Sequence, residues 1–259
     1  MRHKLIEGIP VLVTRPDAQS QHLCDLIKGA GGCYFRFPVL EIVTSDKPEL
    51  LQAAIQQLDQ FDIAVFISAN AVERVMLPLQ ASRDWPQSVQ IAVIGKRSAE
   101  EMGRLGLAVD LCPEHQFDSD GLLALPALQA IGDKRIVIFR GNGGRDYLAN
   151  QLRDRGAEVH YVEAYQRRRP LDCDLEGLKQ FLQQDKFIIT AYSNESLQNL
   201  MDMVDDQTRN ILCAQLLVVV SSRMKPLVSK LGFGLEPVVA QSALDEDVLL
   251  AIATAQQQM

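Results

Sequence analysis

The chain has 259 residues, with 26 Lys and Arg against 33 Asp and Glu and a formal net charge of −7. That balance excludes a broad nucleic-acid or anionic-membrane surface, so an anionic ligand has to be held by local groups. Apolar residues make up 47% of the chain, enough to bury a core, and the length suits two compact domains better than one.

The N-terminus, MRHKLIEGIPVLVTRP, starts basic but has neither a sustained apolar stretch nor a small-residue cleavage site. No later segment approaches the about 18 apolar residues of a membrane span, and a cytoplasmic protein without membrane contact is expected. IPVLVT is the first Val/Ile-rich run, and it is followed by Leu23, Leu26, Ile27 and Ala30 at helical spacing, stopped by Gly31 and Gly32. DIAVFIS and QIAVIG come next, the latter followed by Ser98-Ala99-Glu100-Glu101 in the form of a capping box and closed by Gly106. RIVIFR, KFIITA and LLVVVS complete the series, each leading into a segment of helical period. Short apolar runs of this kind read as parallel strands buried on both faces, and their alternation with helices predicts an α/β protein with doubly wound parallel sheets.

The second half repeats the first with a shift of about 125 residues. Asn70 falls on Asn194 at 124, Arg97 and Gly106 on Arg223 and Gly232 at 126, and Leu122 and Leu123 on Leu249 and Leu250 at 127. The segment IVIFRGNGGRDYLANQLRDRGAEV finds its counterpart at the N-terminus, where Arg15, Leu23 and Gly31 match Arg140, Leu148 and Gly156 at 125. Two similar domains interleaved in sequence follow: residues 1–37 with 168–259, and an inserted domain of 45–160. The paired linkers 38–44 and 161–167 are β-prone, and a two-stranded β connection that permits hinge motion is expected there.

In open α/β sheets a ligand lies beyond the carboxyl ends of the strands, where VTRP, ISAN, VIGKR, FRGNG, AYSN and VSSR all fall. One small-molecule cleft lined by these loops is expected, since free N–H groups at helix starts favour carboxylates or phosphates. Its candidate residues are Arg15, Ser68, Asn70, Gly95, Arg97, Ser98, Arg140, Gly141, Ser193, Asn194, Ser222 and Arg223. Ser68, Asn70, Ser193 and Asn194 are expected to cap helices, with or without touching ligand. Arg15 and Arg140 either bind carboxylates bidentately or tie their own loops. Met224, opposite Ser98 in the repeat, excludes a hydroxyl role there. GNGG at 141–144 lacks dinucleotide-binding spacing, and no phosphate loop is present. His3, His22, His115 and His160 have no metal spacing, and the five scattered cysteines have neither a C-x-x-C pair nor a disulfide framework. No cofactor and no metal are expected.

The order VTRP, PVLEI, FISANAV, AVIGKRSAEEMGRLG, IFRGNGGRDYLANQLRDRGAEV and EAYQRR resembles the uroporphyrinogen-III synthase family over nearly the whole chain. The resemblance implies the interleaved two-domain form and a lyase of tetrapyrrole (haem) biosynthesis. Its substrate, the linear hydroxymethylbilane, loses its terminal hydroxyl as water and closes through a spiro intermediate to uroporphyrinogen III with ring D inverted. That substrate carries eight carboxylates and supplies its own electrons, so the protein's part is to fold a flexible chain correctly. Tyr165 matches the family's tyrosine in EAYQRR; either it assists departure of the hydroxyl as an acid, or it packs at the hinge with its hydroxyl satisfied locally. The run Arg167, Arg168, Arg169 is either a solvated face or an attractor for a polyanion. A monomer is expected, with substrate delivered by the preceding pathway enzyme. The alternative from another class is a non-catalytic two-domain module that closes on a small anion, which usually brings a signal peptide or an effector domain.

Overall fold

The computed structural model describes residues 5–144 and 146–259. The basic start Met1–Lys4, with His3, lies outside the described residues. In chain order the elements begin β1 (Pro10–Val13), α1 (Asp17–Gly29), β2 (Cys33–Arg36), β3 (Glu41–Thr44), α2 (Pro48–Gln56), β4 (Ile63–Phe66) and α3 (Ala69–Gln80). They continue with β5 (Gln90–Val93), α4 (Lys96–Arg104), α5 (Ser119–Leu123), β6 (Arg135–Gly141), α6 (Tyr147–Asp154), β7 (Glu158–Arg168), α7 (Leu175–Phe181) and β8 (Ile188–Ala191). The last are α8 (Asn194–Asp202), α9 (Asp206–Cys213), β9 (Leu216–Val219), α10 (Lys225–Lys230), β10 (Val238–Val239) and α11 (Asp245–Gln256).

The chain divides into two compact units, Met1–Glu41 with Arg168–Met259, and Ile42–Arg167. The first holds a five-stranded sheet in the order β10-β9-β8-β1-β2, and its pairings are parallel. Its strands alternate across the sheet as a buried parallel strand must. Leu12, Ile189, Ala191, Leu217 and Val219 pack on one face with residues of α7, α8 and α10. Val11, Val13, Ile188, Leu216 and Val218 pack on the other with α1 and α11.

The second unit has the order β3-β7-β6-β4-β5, with β7-β6, β6-β4 and β4-β5 parallel. Ala64, Phe66, Val137 and Phe139 face α2, α3 and α4, while Ile63, Val65, Ile136 and Ile138 face α5 and α6. The order β2-β1-β8-β9 of the first sheet is therefore the order β7-β6-β4-β5 of the second. The fifth strand, β10, is reduced in the second unit to a single parallel bridge, Ala92 to Leu111, and β3 is added at the other edge. The strand β7 runs unbroken through 161–167, paired with β6 from Arg135 opposite Glu158 to Arg140 opposite Glu163 and, after a register shift, Gly141 opposite Tyr165.

Both units are doubly wound α/β sheets, and the architecture is interleaved in sequence as the repeat requires. The repeat's glycines owe their places to backbone geometry: Gly31 and Gly156 have φ of 92° and 90°, and Gly106 and Gly232 have 79° and 88°. Each sits just past a helix end in the left-handed region, where a side chain is costly.

Some local expectations are corrected. The helix expected to include Ala30 ends at Gly29, with Ala30 as its cap. No capping box forms at Ser98; α4 starts at Lys96 behind Gly95, and Ser98 is buried inside the helix. A capping box does exist at Ser193 and Ser196, each side chain bonding the other's backbone N–H. The caps also reset the repeat. Ser68 and Ser193 cap α3 and α8, 125 positions apart, so Asn194 corresponds to Ala69 rather than Asn70. Asp118 and Leu244, the residues before α5 and α11, are 126 apart, which sets buried Leu122 against buried Val248 and leaves Leu250 exposed.

Replacing Ser193 with Ala removes the hydroxyl that accepts from the Ser196 N–H but keeps the backbone N–H at 193 that donates to Ser196 Oγ, and a loss of about 1 kcal/mol is expected. Urea denaturation of the variant should show a lower midpoint with an unchanged slope; an unchanged midpoint would show that the Ser193 hydroxyl contributes nothing.

Candidate functional site

In the second unit the connection after β6 runs to β7 on one side and the connection after β4 runs to β5 on the other. Neighbouring strands whose connections diverge leave a crevice at their carboxyl ends, the usual ligand position in such sheets. A cavity of about 340 Å³ lies there, and its lining includes Ile67 and Ser68 after β4, Arg140 and Gly141 at the end of β6, Gly143 and Gly144 after it, and Tyr165 on β7. Among the described residues no carboxylate lines it.

Local structure brings these groups together. The register of β6 against β7 shifts between Arg140 and Gly141, which sets Tyr165 opposite Gly141. Only a glycine fits, because a Cβ at 141 would lie 2.7 Å from the Tyr165 ring. The Tyr165 side chain is buried (4% exposed), and its Oη is 3.0 Å from Ser68 Oγ. Ser68 Oγ also accepts from the Ala71 N–H at 3.1 Å, so one hydroxyl caps α3 and meets the tyrosine. Asn142 extends the pairing as a side-chain rung: its Nδ2 donates to the Arg167 carbonyl at 3.2 Å and its Oδ1 accepts from the Arg167 N–H at 2.7 Å.

Arg140 does not present its guanidinium as a carboxylate clamp. It is 6% exposed and bonds Asp146 Oδ1 at 3.2 Å, the Gly141 carbonyl at 3.3 Å and the Gly143 carbonyl, with its Cζ 4.6 Å from the centre of the Tyr161 ring. Arg15, its repeat counterpart in the first unit, is 7% exposed, bonds Asp245 and lies 4.5 Å over the Tyr192 ring. Arg140 bonds within its own loop, whereas Arg15 pairs with Asp245 at the start of α11, 230 positions along the chain.

The first unit also has its divergence at one strand pair, β1 and β8. Thr14 Oγ1 donates to the Thr190 carbonyl at 2.6 Å across that pair, and the capping box of Ser193 opens α8 beside it. Asn194 is exposed at the first turn of α8 and is not the cap. Asn70, likewise, is the second residue of α3. Gly95 caps α4 with Arg97 exposed and Ser98 buried. Ser222 and Arg223 lie exposed in a 3-10 turn whose cap is Ser221, accepting from the Arg223 N–H at 3.3 Å, and Met224 is buried. The structure brings together Ser68, Arg140, Gly141 and Tyr165 in one cavity; Gly95, Arg97, Ser98 and Asn70 are not among that cavity's lining residues.

Sequence reasoning missed Tyr161 and Tyr192. Both hydroxyls are buried without a hydrogen-bond partner among the described residues. Burial raises the Tyr161 phenol above its ordinary value, with Arg140 pulling the other way. Burial pushes the Tyr192 phenol further, up to about 12, against the influence of Arg15. Asp146, Asp245 and Asn142 were also missed, since their partners are set by loop curvature or by contacts far along the chain. Among the described residues no group of three or more His, Cys, Asp or Glu is placed to hold a metal ion.

A cavity at the divergence point of a doubly wound sheet, lined by hydroxyls, glycine backbone and aliphatic and aromatic side chains, marks a two-unit α/β protein with a small-molecule-sized site at its strand ends. The family described as "Uroporphyrinogen-III synthase HemD" matches residues 21–246. The chain is 30% identical over 243 residues to uroporphyrinogen-III synthase of Escherichia coli K12, covering 93% of this chain and 98% of that protein. It is 37% identical over 158 residues to that of Proteus mirabilis, covering 61% and 79%. Structures of a mutant uroporphyrinogen III synthase from Thermus thermophilus and of uroporphyrinogen-III synthetase from Helicobacter pylori share the fold. Each has a TM-score of 0.64, at 17% and 11% identity, over 97% of this chain and 100% of theirs. The chain belongs to the uroporphyrinogen-III synthase family.

The Tyr192 phenol gives a pH test. An unfolded tyrosine ionises near 10, whereas the folded one holds its proton to about 12. Between those values the unfolded state binds fewer protons, so the contribution of Tyr192 is fully present below pH 10 and is lost as pH rises towards 12, by an amount of order 2 kcal/mol. Urea midpoints from pH 9 to 11.5 should fall more steeply for the native chain than for Tyr192→Phe; parallel curves would rule out the shift.

Proposed function

We propose that the chain closes hydroxymethylbilane to uroporphyrinogen III with inversion of ring D and loss of water, through a spiro intermediate. Uroporphyrinogen-III synthase activity, a lyase step of tetrapyrrole biosynthesis, follows from family membership. The observation that carries the finer reading is the Tyr165–Ser68 pair at the cavity of the second unit.

The substrate's eight carboxylates suit a lining of hydroxyl and backbone donors without opposing carboxylates. Ser68 has one proton to give. If its lone pair takes the Ala71 N–H and its O–H donates to Tyr165 Oη, the phenol proton is left for a leaving hydroxyl in the cavity. Loss of that hydroxyl as water leaves an azafulvene cation on ring A. The substituted carbon of ring D attacks it, and the spiro intermediate breaks and recloses inverted, losing a proton. Electrons come from the pyrroles throughout, so the protein contributes orientation and one proton donor.

In this reading Ser68 and Gly141 supply donors at the cavity of the second unit, while Gly95 and, in the first unit, Ser193 stand as candidates at their own strand ends. Asn70, Asn194, Arg97, Ser98, Ser222 and Arg223 have weaker claims, Ser98 because it is buried in its helix. No helix among the described residues is long and apolar enough to cross a membrane. We place the protein in the cytoplasm as a monomer that receives its unstable substrate from the preceding enzyme.

Tyr165→Phe should slow closure by no more than the roughly 100-fold to 10,000-fold tied to one general acid, with product still isomer III. Initial rates and isomer ratios with freshly made hydroxymethylbilane measure this. A folded variant indistinguishable from no enzyme would end the positional account, and an undiminished rate would end the acid role. Dialysis against chelator should leave the activity of folded protein intact; its loss would require a metal.

A further inference from the structure

Arg140 is buried, an expensive place for a guanidinium that the proton donor and the distributed donors above leave unexplained. Its partners all belong to one short stretch. Asp146, the Gly141 carbonyl and the Gly143 carbonyl surround it, and the Tyr161 ring forms its floor. Turning carbonyls inward in this way curls the chain through Gly143 and Gly144, at φ of 66° and 106°, and a side chain at Gly144 would run into the guanidinium. Gly141, whose carbonyl Arg140 holds, lies so close to the ring of Tyr165 that a Cβ there would be 2.7 Å from it. On the opposite side the Asn142 N–H donates to the Tyr165 carbonyl at 3.1 Å. The loop that Arg140 holds is thus the wall that holds Tyr165.

We propose that Arg140 is a positioning residue for Tyr165: its clamp on Asp146 and the glycine carbonyls, seated on Tyr161, keeps the Tyr165 ring against Gly141 and its hydroxyl at Ser68. The first unit supports this use of the position. There the repeat counterpart Arg15 is as buried, lies on a tyrosine at nearly the same distance and bonds one aspartate, although the tyrosine and aspartate come from different places in the chain. The same arginine with independently supplied partners marks a device for fixing the loop after that strand. The proposal rests on the reading that Tyr165 serves the reaction.

The test replaces the five tyrosines with 3-fluorotyrosine and follows fluorine NMR, with Tyr165→Phe identifying its resonance. Arg140→Ala should move the Tyr165 resonance and lower kcat about 10-fold with KM changed far less, while circular dichroism is unchanged. In a Tyr165→Phe background, Arg140→Ala should cost less than about 2-fold more, because the two act through one hydroxyl. Asp146→Asn, which alters only a largely exposed carboxylate, should move the same resonance by less, and Asp146→Glu should restore it; these carry the test if Arg140→Ala does not fold. An unmoved Tyr165 resonance in folded Arg140→Ala overturns the proposal, as does a loss confined to KM or one that multiplies with Tyr165→Phe. Should Tyr165→Phe keep the full rate, the acid reading fails by itself, and the resonance still decides whether Arg140 holds the ring.

Discussion

A parallel sheet must return its chain by crossovers, and where neighbouring crossovers leave in opposite directions two strand ends remain uncovered. Both sheets of this protein obey that constraint, at β1 and β8 in one unit and at β6 and β4 in the other. In the second unit the uncovered ends carry backbone groups of Gly141, Gly143 and Gly144 and the helix-capping Ser68 hydroxyl among apolar and aromatic side chains such as Ile67, Ile138 and Tyr165. The cavity of the second unit is a consequence of topology before it is a consequence of any particular side chain. What specific residues add is the furnishing of one wall: a register shift of β6 against β7, a glycine that admits an aromatic ring, and a serine whose hydroxyl serves helix and tyrosine at once.

Burial of charge is the second theme. Two guanidinium groups lie almost out of water, and a bare charge there would cost several kcal/mol, on the order of the whole stability of a domain. Each is compensated by an aspartate and an aromatic face. The aspartates differ in origin. Asp146 belongs to the arginine's own loop, whereas Asp245 begins α11, where the helix dipole favours a negative charge. Asp245 also meets His22 Nδ1 at 3.1 Å, so this one carboxylate ties the last helix both to α1 and to the loop after β1. The hydroxyls of the two buried phenols beneath these arginines have no hydrogen-bond partner among the described residues.

The sequence by itself determined the strands with two buried faces, because Val/Ile runs such as Val11–Val13 and Ile136–Phe139 have a local signature. It determined the interleaving too, since Gly31 and Gly156, like Gly106 and Gly232, stand where only a left-handed residue ends a helix cheaply. Helix caps were half legible: Ser68 and Ser193 are caps, but their asparagine neighbours are not, and the serine in a capping-box pattern at 98 is an interior helix residue. A cap pattern reports what a backbone could do, and packing decides which nearby residue does it. The short strand β10 carries only two residues and no periodicity to read. At the site, Tyr165 was visible through its motif, whereas Tyr161, Tyr192, Asn142 and the engagement of Arg15 and Arg140 were decided only by tertiary structure. Those roles depend on which groups meet across as many as 230 positions of chain, as Arg15 and Asp245 do, and separation of that kind leaves no local trace in sequence.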